Sequence, residues 1–328
     1  MNKFKDILFC DISTEENFYK YSDKISKLTH RSKKDLFYLL YANEKSYAFC
    51  IMLKDEILGF QGFVYKPILI NDKVIPSFRS EFTIALSELR GTGIFPKFYK
   101  YTMNTIRNDY NEVYFWGETK HKGWLNFDFK MIKRHTFYQI FSKRFKHKVK
   151  KPKIYNQFLV NAICVLLSLY NPMRHLFKRP VIVTQQITYD NFKKFELNEK
   201  KFKLHLYMDK EIFQWRYLKN DFQKYLFITY KESLIIIQEK DQEVIIVDIY
   251  AKNSIQYLFL LTYLTREYET VILHGNLFVM ARVSYFWINI LFGFATFFGG
   301  GAFVEHNRYA KQISWKDIPL LDSWQWGL

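Results

Sequence analysis

The stretch "SELRGTGIFPKFYKYTM", residues 87–103, places two glycines directly before a helical pattern, in a chain with only 12 glycines among 328 residues. After the glycines, apolar residues recur at three- and four-residue steps, which predicts one buried helix face. They are Phe95, Phe98, Tyr99, Thr102, Met103 and Ile106. Pro96 suits the first turn of this helix, where its missing N–H is not needed. The following "EVYFWGE" (112–118) predicts a buried strand, so the glycines lie in a strand–loop–helix–strand unit.

Three further strands are predicted before the glycines. Residues 46–53 and 57–66 form a hairpin pattern around the turn "KDE", and 74–86 follow as a longer strand after "IND". Consecutive strands with short connections predict an antiparallel meander that leads into the loop.

The loop itself has the composition of a phosphate cradle. Gly91 and Gly93 allow the backbone to approach a ligand closely, and the following helix presents unpaired N–H groups and a positive dipole end. Arg90 adds a charge-assisted contact, so the loop suits a pyrophosphate. The alternative is an ordinary tight turn. Neither GxGxxG nor GK[ST] occurs here, which argues against the Rossmann and P-loop patterns.

With its flanking elements, the stretch Arg90-Gly91-Thr92-Gly93-Ile94 resembles the signature loop of the GNAT superfamily of acyl-CoA-dependent N-acyltransferases. The resemblance covers about residues 35–135, and Phe95 departs from the pattern where the family has a small residue. It implies acetyl-CoA or another acyl-CoA as co-substrate. The residues implied to bind it are Leu86, Arg90, Gly91, Thr92, Gly93 and Ile94.

The second half of the chain resembles a degenerate copy of the first. Residues 213–239 parallel residues 36–62, and a strand (244–251), a helix and the strand "TVILHGN" follow, without a glycine loop. The fold class is therefore α/β (α+β), with two GNAT-like domains, each a mixed, mostly antiparallel sheet flanked by helices. We expect an N-terminal domain at 1–140, a basic linker and bridging helix at 141–200, and the degenerate domain at 201–328.

The resemblance also implies catalytic residues. In several GNAT enzymes a glutamate on the fourth strand, about nine residues before the loop arginine, accepts the proton of the acceptor amine, and Glu81 occupies this place. The alternative is a structural ion pair of Glu81 with Arg79 or Arg90. For the general acid that protonates the leaving thiolate, Tyr138 is the candidate.

Acceptor contacts are expected from both halves of the chain. Glu118 and His121 follow the fifth strand, although His121 also fits a surface residue of the basic stretch described next. Trp215 and Arg216 of the second half could stack on and clamp an anionic acceptor, or they could fasten the two halves together. Asp248 is a lone acid in "VIIVDIY" and a further candidate.

The charge of the chain suits polyanionic partners. The formal net charge is +17, and the stretch 120–153 holds 12 Lys or Arg against the single acid Asp128. This stretch predicts a solvated linker or a surface for nucleotides or membranes. The three cysteines are far apart and have no zinc-ligand spacing, so we expect neither disulfides nor a metal site, and a reducing cytoplasmic compartment.

Two apolar segments raise the question of a membrane. Residues 158–170 are too short to span a bilayer. Residues 283–304 reach spanning length without a charge, but Asn289 and the run Gly299–Gly301 favour a last helix and strands joined by a glycine turn. A peripheral membrane contact remains an alternative.

Three functions follow from these patterns. The first is an acyl-CoA N-acyltransferase that acts on a small amine, for example a nucleotide-linked amino sugar for a surface glycan, without DNA as a partner. The second is a Fem-type aminoacyl-tRNA-dependent transferase, which also resembles paired GNAT folds and would account for the basic stretch. The third is a non-catalytic GNAT-like binding module.

Overall fold

A computed structural model of the chain describes residues 4–70, 72–119, 130–141, 181–196, 204–219, 224–240, 243–268, 270–274 and 295–306. The strands of these ranges are β1 Ile7–Asp11, β2 Tyr47–Leu53, β3 Glu56–Tyr65, β4 Ile68–Ile70, β5 Lys73–Ile75, β6 Ser77–Ala85, β7 Tyr114–Thr119, β8 Lys130–Phe141, β9 Ile182–Thr184, β10 Leu204–Leu206, β11 Tyr225–Tyr230, β12 Ser233–Lys240, β13 Glu243–Tyr250, β14 Thr270–His274 and β15 Ala295–His306. The helices are α1 Glu15–Thr29, α2 Lys33–Leu40, α3 Ile94–Asp109, α4 Tyr189–Glu196, α5 Lys210–Phe213 and α6 Ser254–Glu267. A 3₁₀ turn, Ser87–Leu89, precedes α3, and a π-helical turn, Gln214–Leu218, follows α5.

The described residues fall into two compact units, each assembled from separate stretches of the chain. The first unit takes the described residues up to Arg134, those of 204–219 and those of 301–306. The second takes 135–141, 181–196 and the described residues from 224 to 300. The sequence predicted one continuous stretch of chain for each domain, with boundaries at residues 140 and 200. In the structure, stretches of the first and the second unit alternate along the chain.

The sheet of the first unit has the order β1-β2-β3-β6-β7-β15. Neighbouring strands are antiparallel except β6 and β7, which are parallel and are joined through α3. A parallel pair needs such a crossover connection, because the chain must return to the starting edge of the sheet. The predicted strand–loop–helix–strand unit is thus confirmed, and the glycine loop lies between β6 and α3.

Helices cover both faces of this sheet. Gly62 and Phe63 are neighbours on β3, so their side-chain positions point to opposite faces. A Cβ atom at Gly62 would meet Leu40 of α2, whereas the ring of Phe63 lies 5.8 Å from that of Tyr99 on α3. The predicted apolar face of α3 is buried from Phe98 to Ile106, while Phe95 is half-buried at the start of the helix.

The predicted long strand 74–86 is interrupted at Pro76. Proline cannot donate a ladder hydrogen bond, so the chain changes sheets there. β5, before the proline, pairs with β4 in a three-stranded sheet of order β10-β4-β5, and β6, after it, joins the sheet that carries the loop. The prediction of one continuous strand was therefore wrong.

The second unit repeats the order of elements. Its strands are arranged as β9-β11-β12-β13-β14-β8, and β13 and β14 are parallel and are joined through α6. β11, β12 and β13 form an antiparallel meander, as β2, β3 and β6 do in the first unit. Its core packs α6 onto these strands through apolar side chains that include Ile235, Ile237, Leu260 and Leu264. The mixed, mostly antiparallel α/β fold class is confirmed.

The glycine run 299–301 lies within a strand and not in the predicted turn. β15 continues through all three glycines, and its residues 302–306 pair with β7. Glycine in a strand is only weakly unfavourable, and the flanking residues "ATFF" and "AFVEH" contain several strand formers, so pairing prevails. Residues 283–294 lie outside the described part. Among the described helices, none combines the length and apolarity that a bilayer crossing requires.

Candidate functional site

The loop between β6 and α3 needs both of its glycines for backbone reasons. Gly91 has φ of +74° and Gly93 has φ of +73°, in the left-handed region that side chains with a Cβ rarely adopt. A Cβ atom built on either residue meets no heavy atom within 4 Å. The glycines are therefore required by conformation, and the space in front of the loop backbone is open.

Hydrogen bonds within the loop fix its shape. The Thr92 hydroxyl donates to the carbonyl oxygen of Leu89 at 2.7 Å and accepts from the N–H of Ile94 at 3.3 Å. Leu89 is buried and anchors the loop, whereas Arg90 is exposed. The helix begins behind Gly93, which has no side chain to cap it. The positive end of the α3 dipole lies at this loop, which favours an anion there.

The corresponding helix of the second unit is capped by its own chain. α6 begins after Asn253, whose Oδ1 accepts from the N–H of Gln256 at 2.9 Å. No glycine occurs between the end of β13 at Tyr250 and this cap. Of the two helix starts, that of the first unit is the one that follows glycines in the left-handed region.

A β-bulge lies on β6 before the loop. The register pairs Gly62 with Glu81 and Phe60 with Ile84, so two residues of β6, Phe82 and Thr83, oppose one residue of β3. Phe82 has φ of +51°, a strained value for a bulky residue that costs about 1–2 kcal/mol. Sequence patterns did not predict this bulge.

The bulge changes which residues of β6 direct their backbone N–H and C=O groups at β3. Before it, the carbonyl oxygen of Ser77 accepts from Lys66 at the end of β3, and after it the N–H of Leu86 donates to Leu58 of β3. Before the bulge, the odd-numbered residues of β6 direct their backbone N–H and C=O groups at β3. After it, the even-numbered residues do so, because the bulge inserts one residue. The backbone groups of Thr83 and Ala85 consequently point away from β3, towards the side of β7.

β7 does not pair with this part of β6. The register between the two strands covers Ser77–Arg79 and Tyr114–Trp116 and ends there. Beyond it, β7 pairs with β15 on its other edge. Within the described residues no strand pairs with this edge of β6 after the bulge, which suits a ligand that lies along the strand and ends at the glycine loop. An extended molecule with amide groups and an anionic end fits this arrangement.

Glu81 lies beside the bulge and is paired. Its Oε1 lies 3.0 Å from Nε of Arg79, which is 2% exposed, while the Glu81 side chain is 21% exposed. The Arg79 guanidinium lies 5.5 Å from the ring centroid of Trp116. Of the two ion pairs that the sequence left open, the structure shows the one with Arg79. The Glu81 side chain is still partly accessible.

Trp215 and Arg216 belong to the first unit, not to the second half as predicted. Both are buried. The Trp215 ring stacks on Tyr38 of α2 at 5.5 Å, and its Nε1–H donates to the Tyr38 carbonyl oxygen at 3.0 Å. In return, the Tyr38 hydroxyl donates to the Trp215 carbonyl oxygen at 2.7 Å. These contacts fasten the π-helical turn to α2 within the first unit, and not one unit to the other.

Trp215→Phe is expected to lower the free energy of unfolding by about 1–3 kcal/mol, because a buried carbonyl loses its donor. Substrate KM values should stay within a factor of about two, since the indole is enclosed by the protein. Chemical denaturation and steady-state kinetics measure the two effects. A large rise in the KM of the acceptor with unchanged stability would instead place Trp215 in the acceptor site.

The other predicted residues are distributed over both units. Leu86 directly precedes the 3₁₀ turn at the base of the loop and is 36% exposed. Glu118 lies on β7 opposite Phe303, and Tyr138 lies on β8 opposite Leu273. Asp248 is buried in β13, next to a second register shift.

The basic stretch is described only in its β8 portion. His121 and residues 120–129 and 142–153 lie outside the described residues. Within the described residues, no group of three or more His, Cys, Asp or Glu side chains is arranged to hold a metal ion.

No protein-family model and no curated sequence matches this chain. Solved structures do. A probable N-acyltransferase of unknown function from Enterococcus faecalis aligns with a TM-score of 0.61 at 8% identity, over 91% of this chain and 71% of that one. N-myristoyltransferase from Saccharomyces cerevisiae with bound myristoyl-CoA aligns with a TM-score of 0.60 at 8% identity, over 93% and 83%. A GCN5-related N-acetyltransferase from Anabaena variabilis aligns with a TM-score of 0.60 at 11% identity, over 91% and 72%. The chain has a GNAT-like fold, as its resemblance predicted.

Proposed function

We propose that this chain is an acyl-CoA-dependent N-acyltransferase whose donor site lies in the first unit. One arrangement carries the proposal: the bulged strand β6 turns its backbone groups outward and leads directly to the left-handed glycine loop and the start of α3. The fold likeness supports the same class of reaction, because structures with this fold include proteins that hold an acyl-CoA.

The residues present suit the pyrophosphate and the pantetheine arm of coenzyme A. The loop from Arg90 to Ile94 offers the N–H groups of its two glycines, open space and one exposed cation to the pyrophosphate. The backbone of Thr83 and Ala85 offers hydrogen bonds to the amides of the pantetheine arm. This alignment brings the thioester, which supplies the acyl group, to the bulge beside Glu81.

The reaction needs a proton acceptor and a proton donor. The acceptor amine must lose a proton before its nitrogen adds to the thioester carbonyl carbon, and Glu81 is the proposed acceptor of that proton. The C–S bond then breaks, and the leaving sulfur takes up a proton, for which Tyr138 is the proposed source. The second proton that the amine nitrogen loses on becoming an amide then restores the phenol. Holding both substrates side by side lowers the activation barrier further, because the loss of translational and rotational freedom is already met on binding.

A small amine is the proposed second substrate. A nucleotide-linked amino sugar in the cytoplasm suits the net charge of +17, because its diphosphate is attracted to a positive field. Glu118 and His121 are the proposed contacts to the amine, and Arg216 and Asp248 are further candidates. The second unit is proposed to be a degenerate copy that does not bind coenzyme A, because no glycine loop precedes α6.

The test combines binding with transfer. Coenzyme A at 100 times its Kd should stabilise the protein by about 2.7 kcal/mol, which scanning fluorimetry detects as a rise in Tm. Transfer from acetyl-CoA and longer acyl-CoAs to a panel of nucleotide amino sugars should then be measured beside charged tRNA as donor. Transfer from charged tRNA alone would establish the Fem-type function instead. Binding of coenzyme A without any transfer would favour a binding module.

A further inference from the structure

Two cysteines that are far apart in the sequence lie directly opposite each other in the first unit. Cys10 of β1 and Cys50 of β2 are register partners in an antiparallel ladder, and both carry free thiols. Directly opposite residues of such a ladder project to the same face of the sheet. The two thiols are therefore neighbours, although the spacing of the cysteines along the sequence predicted no disulfide.

The backbone spacing at this pair matches the spacing that a disulfide requires. The N–H of Ile12 donates to the carbonyl oxygen of the opposite residue, Ala48, at 2.8 Å. Hydrogen-bonded and non-hydrogen-bonded pairs alternate, so Cys10 and Cys50, two residues further along, are again a hydrogen-bonded pair. The Cα atoms of such a pair lie about 5.5 Å apart, and disulfides join Cα atoms about 4.4–6.8 Å apart. A bond between the two sulfurs thus needs no change of strand register.

The two thiols differ in their access to solvent. Cys50 is fully buried, and burial, together with the nearby Cys10, raises the pKa of its thiol to about 12. Because the thiolate is the reactive form, Cys50 is protected from oxidants in solution. Cys10 is half-buried on the edge strand of the described sheet, so a small oxidant can reach it. An accessible cysteine beside a second, enclosed cysteine is the arrangement of a redox-sensitive pair.

We propose that Cys10 and Cys50 are a modification site that forms a reversible disulfide when the protein meets hydrogen peroxide. The Cys10 sulfur attacks one peroxide oxygen, the O–O bond breaks, and Cys10 becomes a sulfenic acid with release of water. The Cys50 sulfur then attacks the Cys10 sulfur and gives up its proton, and the sulfenic oxygen leaves as a second water molecule. Two thiols are oxidised to one disulfide while one peroxide is reduced to two waters.

The disulfide ties the edge strand β1 to β2 and so stabilises the first unit. The ring of Phe9, next to Cys10, lies 5.4 Å from that of Phe98 and 5.7 Å from that of Tyr101, so β1 packs against the helix that follows the glycine loop. A bond that closes a loop of about 40 residues restricts the unfolded chain. The Cβ atoms of opposite residues lie about 4.5–5.5 Å apart and must approach by about 1 Å, a strain that leaves the bond reducible by thiols.

The experiment maps the thiols of the whole chain after treatment with hydrogen peroxide. Remaining thiols are alkylated with N-ethylmaleimide in denaturant, and unreduced peptides are identified by mass spectrometry. The expected product is a single chain in which Cys10 and Cys50 are linked and Cys164, which lies outside the described residues, is alkylated. Its Tm should lie about 5–10 °C above that of the reduced protein, and dithiothreitol should restore both thiols and the lower Tm.

Two variants assign the order of events. Cys50→Ala should leave Cys10 as a sulfenic acid that dimedone traps, without a rise in Tm, whereas Cys10→Ser should keep Cys50 as an unreacted thiol. Wild-type protein in which dimedone traps Cys10 while Cys50 is alkylated would overturn the inference. So would two intact thiols, or a disulfide that includes Cys164 or a second chain. The wild-type map decides alone if Cys50→Ala does not fold, and no outcome depends on coenzyme A or on the proposed function.

Discussion

Gly93→Val is expected to abolish the rise in Tm that coenzyme A gives the wild-type protein. Valine is β-branched and does not adopt the φ of +73° that Gly93 has, so the loop must change its path. No neighbouring atom crowds the new Cβ, so the rest of the unit should keep its fold. Loss of two N–H bonds to a charged phosphate, each about 1.5–3 kcal/mol, lowers the affinity at least about 100-fold.

Two further variants separate the loop from general destabilisation. Gly93→Asn should retain part of the affinity, because asparagine tolerates the left-handed region better than any β-branched residue. Asn253→Ala removes the cap of the corresponding helix in the second unit and should cost about 1 kcal/mol of stability, with the shift by coenzyme A intact. An unchanged shift in Gly93→Val would exclude the loop from the donor site.

Glu81→Gln is expected to lower kcat by about 10²–10⁴-fold with little change in the Kd of coenzyme A. The amide cannot accept the proton of the acceptor amine, but it has the size of the acid and can still accept a hydrogen bond from Arg79. The fold should therefore be kept. The loss of kcat in Glu81→Gln should become smaller as the pH rises, because the acceptor amine is then already deprotonated in solution. Rapid-quench kinetics across a pH series measure both effects.

Glu56→Gln is the matched control, since Glu56 lies at the start of β3 with a side chain that is 76% exposed. It removes the same charge away from the proposed site and should leave kcat unchanged. A Glu81→Gln enzyme with full activity would mean that water or another residue takes the proton. Reduced stability with normal kcat would assign Glu81 to the ion pair with Arg79 alone.

Local sequence determined the parts of this protein that depend on neighbouring residues. The spacing from Phe98 to Ile106 fixes the buried face of α3, because apolar side chains at helical intervals have to be removed from water together. Gly91 and Gly93 fix the loop, since few other residues adopt its backbone angles. The hairpin of β2 and β3 follows from two strand patterns around a short turn. The Arg90 loop and its resemblance therefore predicted the fold class and the proposed donor site.

Only the tertiary structure decided the features that depend on residues far apart in the chain. The bulge at Phe82 depends on Gln61, which meets Thr83 across 22 positions and replaces ladder bonds that no local pattern encodes. The glycines of 299–301 lie in a strand whose last residues pair with β7, and this distant partner outweighs their local preference for a turn. Trp215 is fixed by Tyr38, 177 positions away, through two backbone hydrogen bonds. Strand register and burial depend on contacts between residues that are far apart in the sequence, and local sequence patterns do not show which of these residues come into contact.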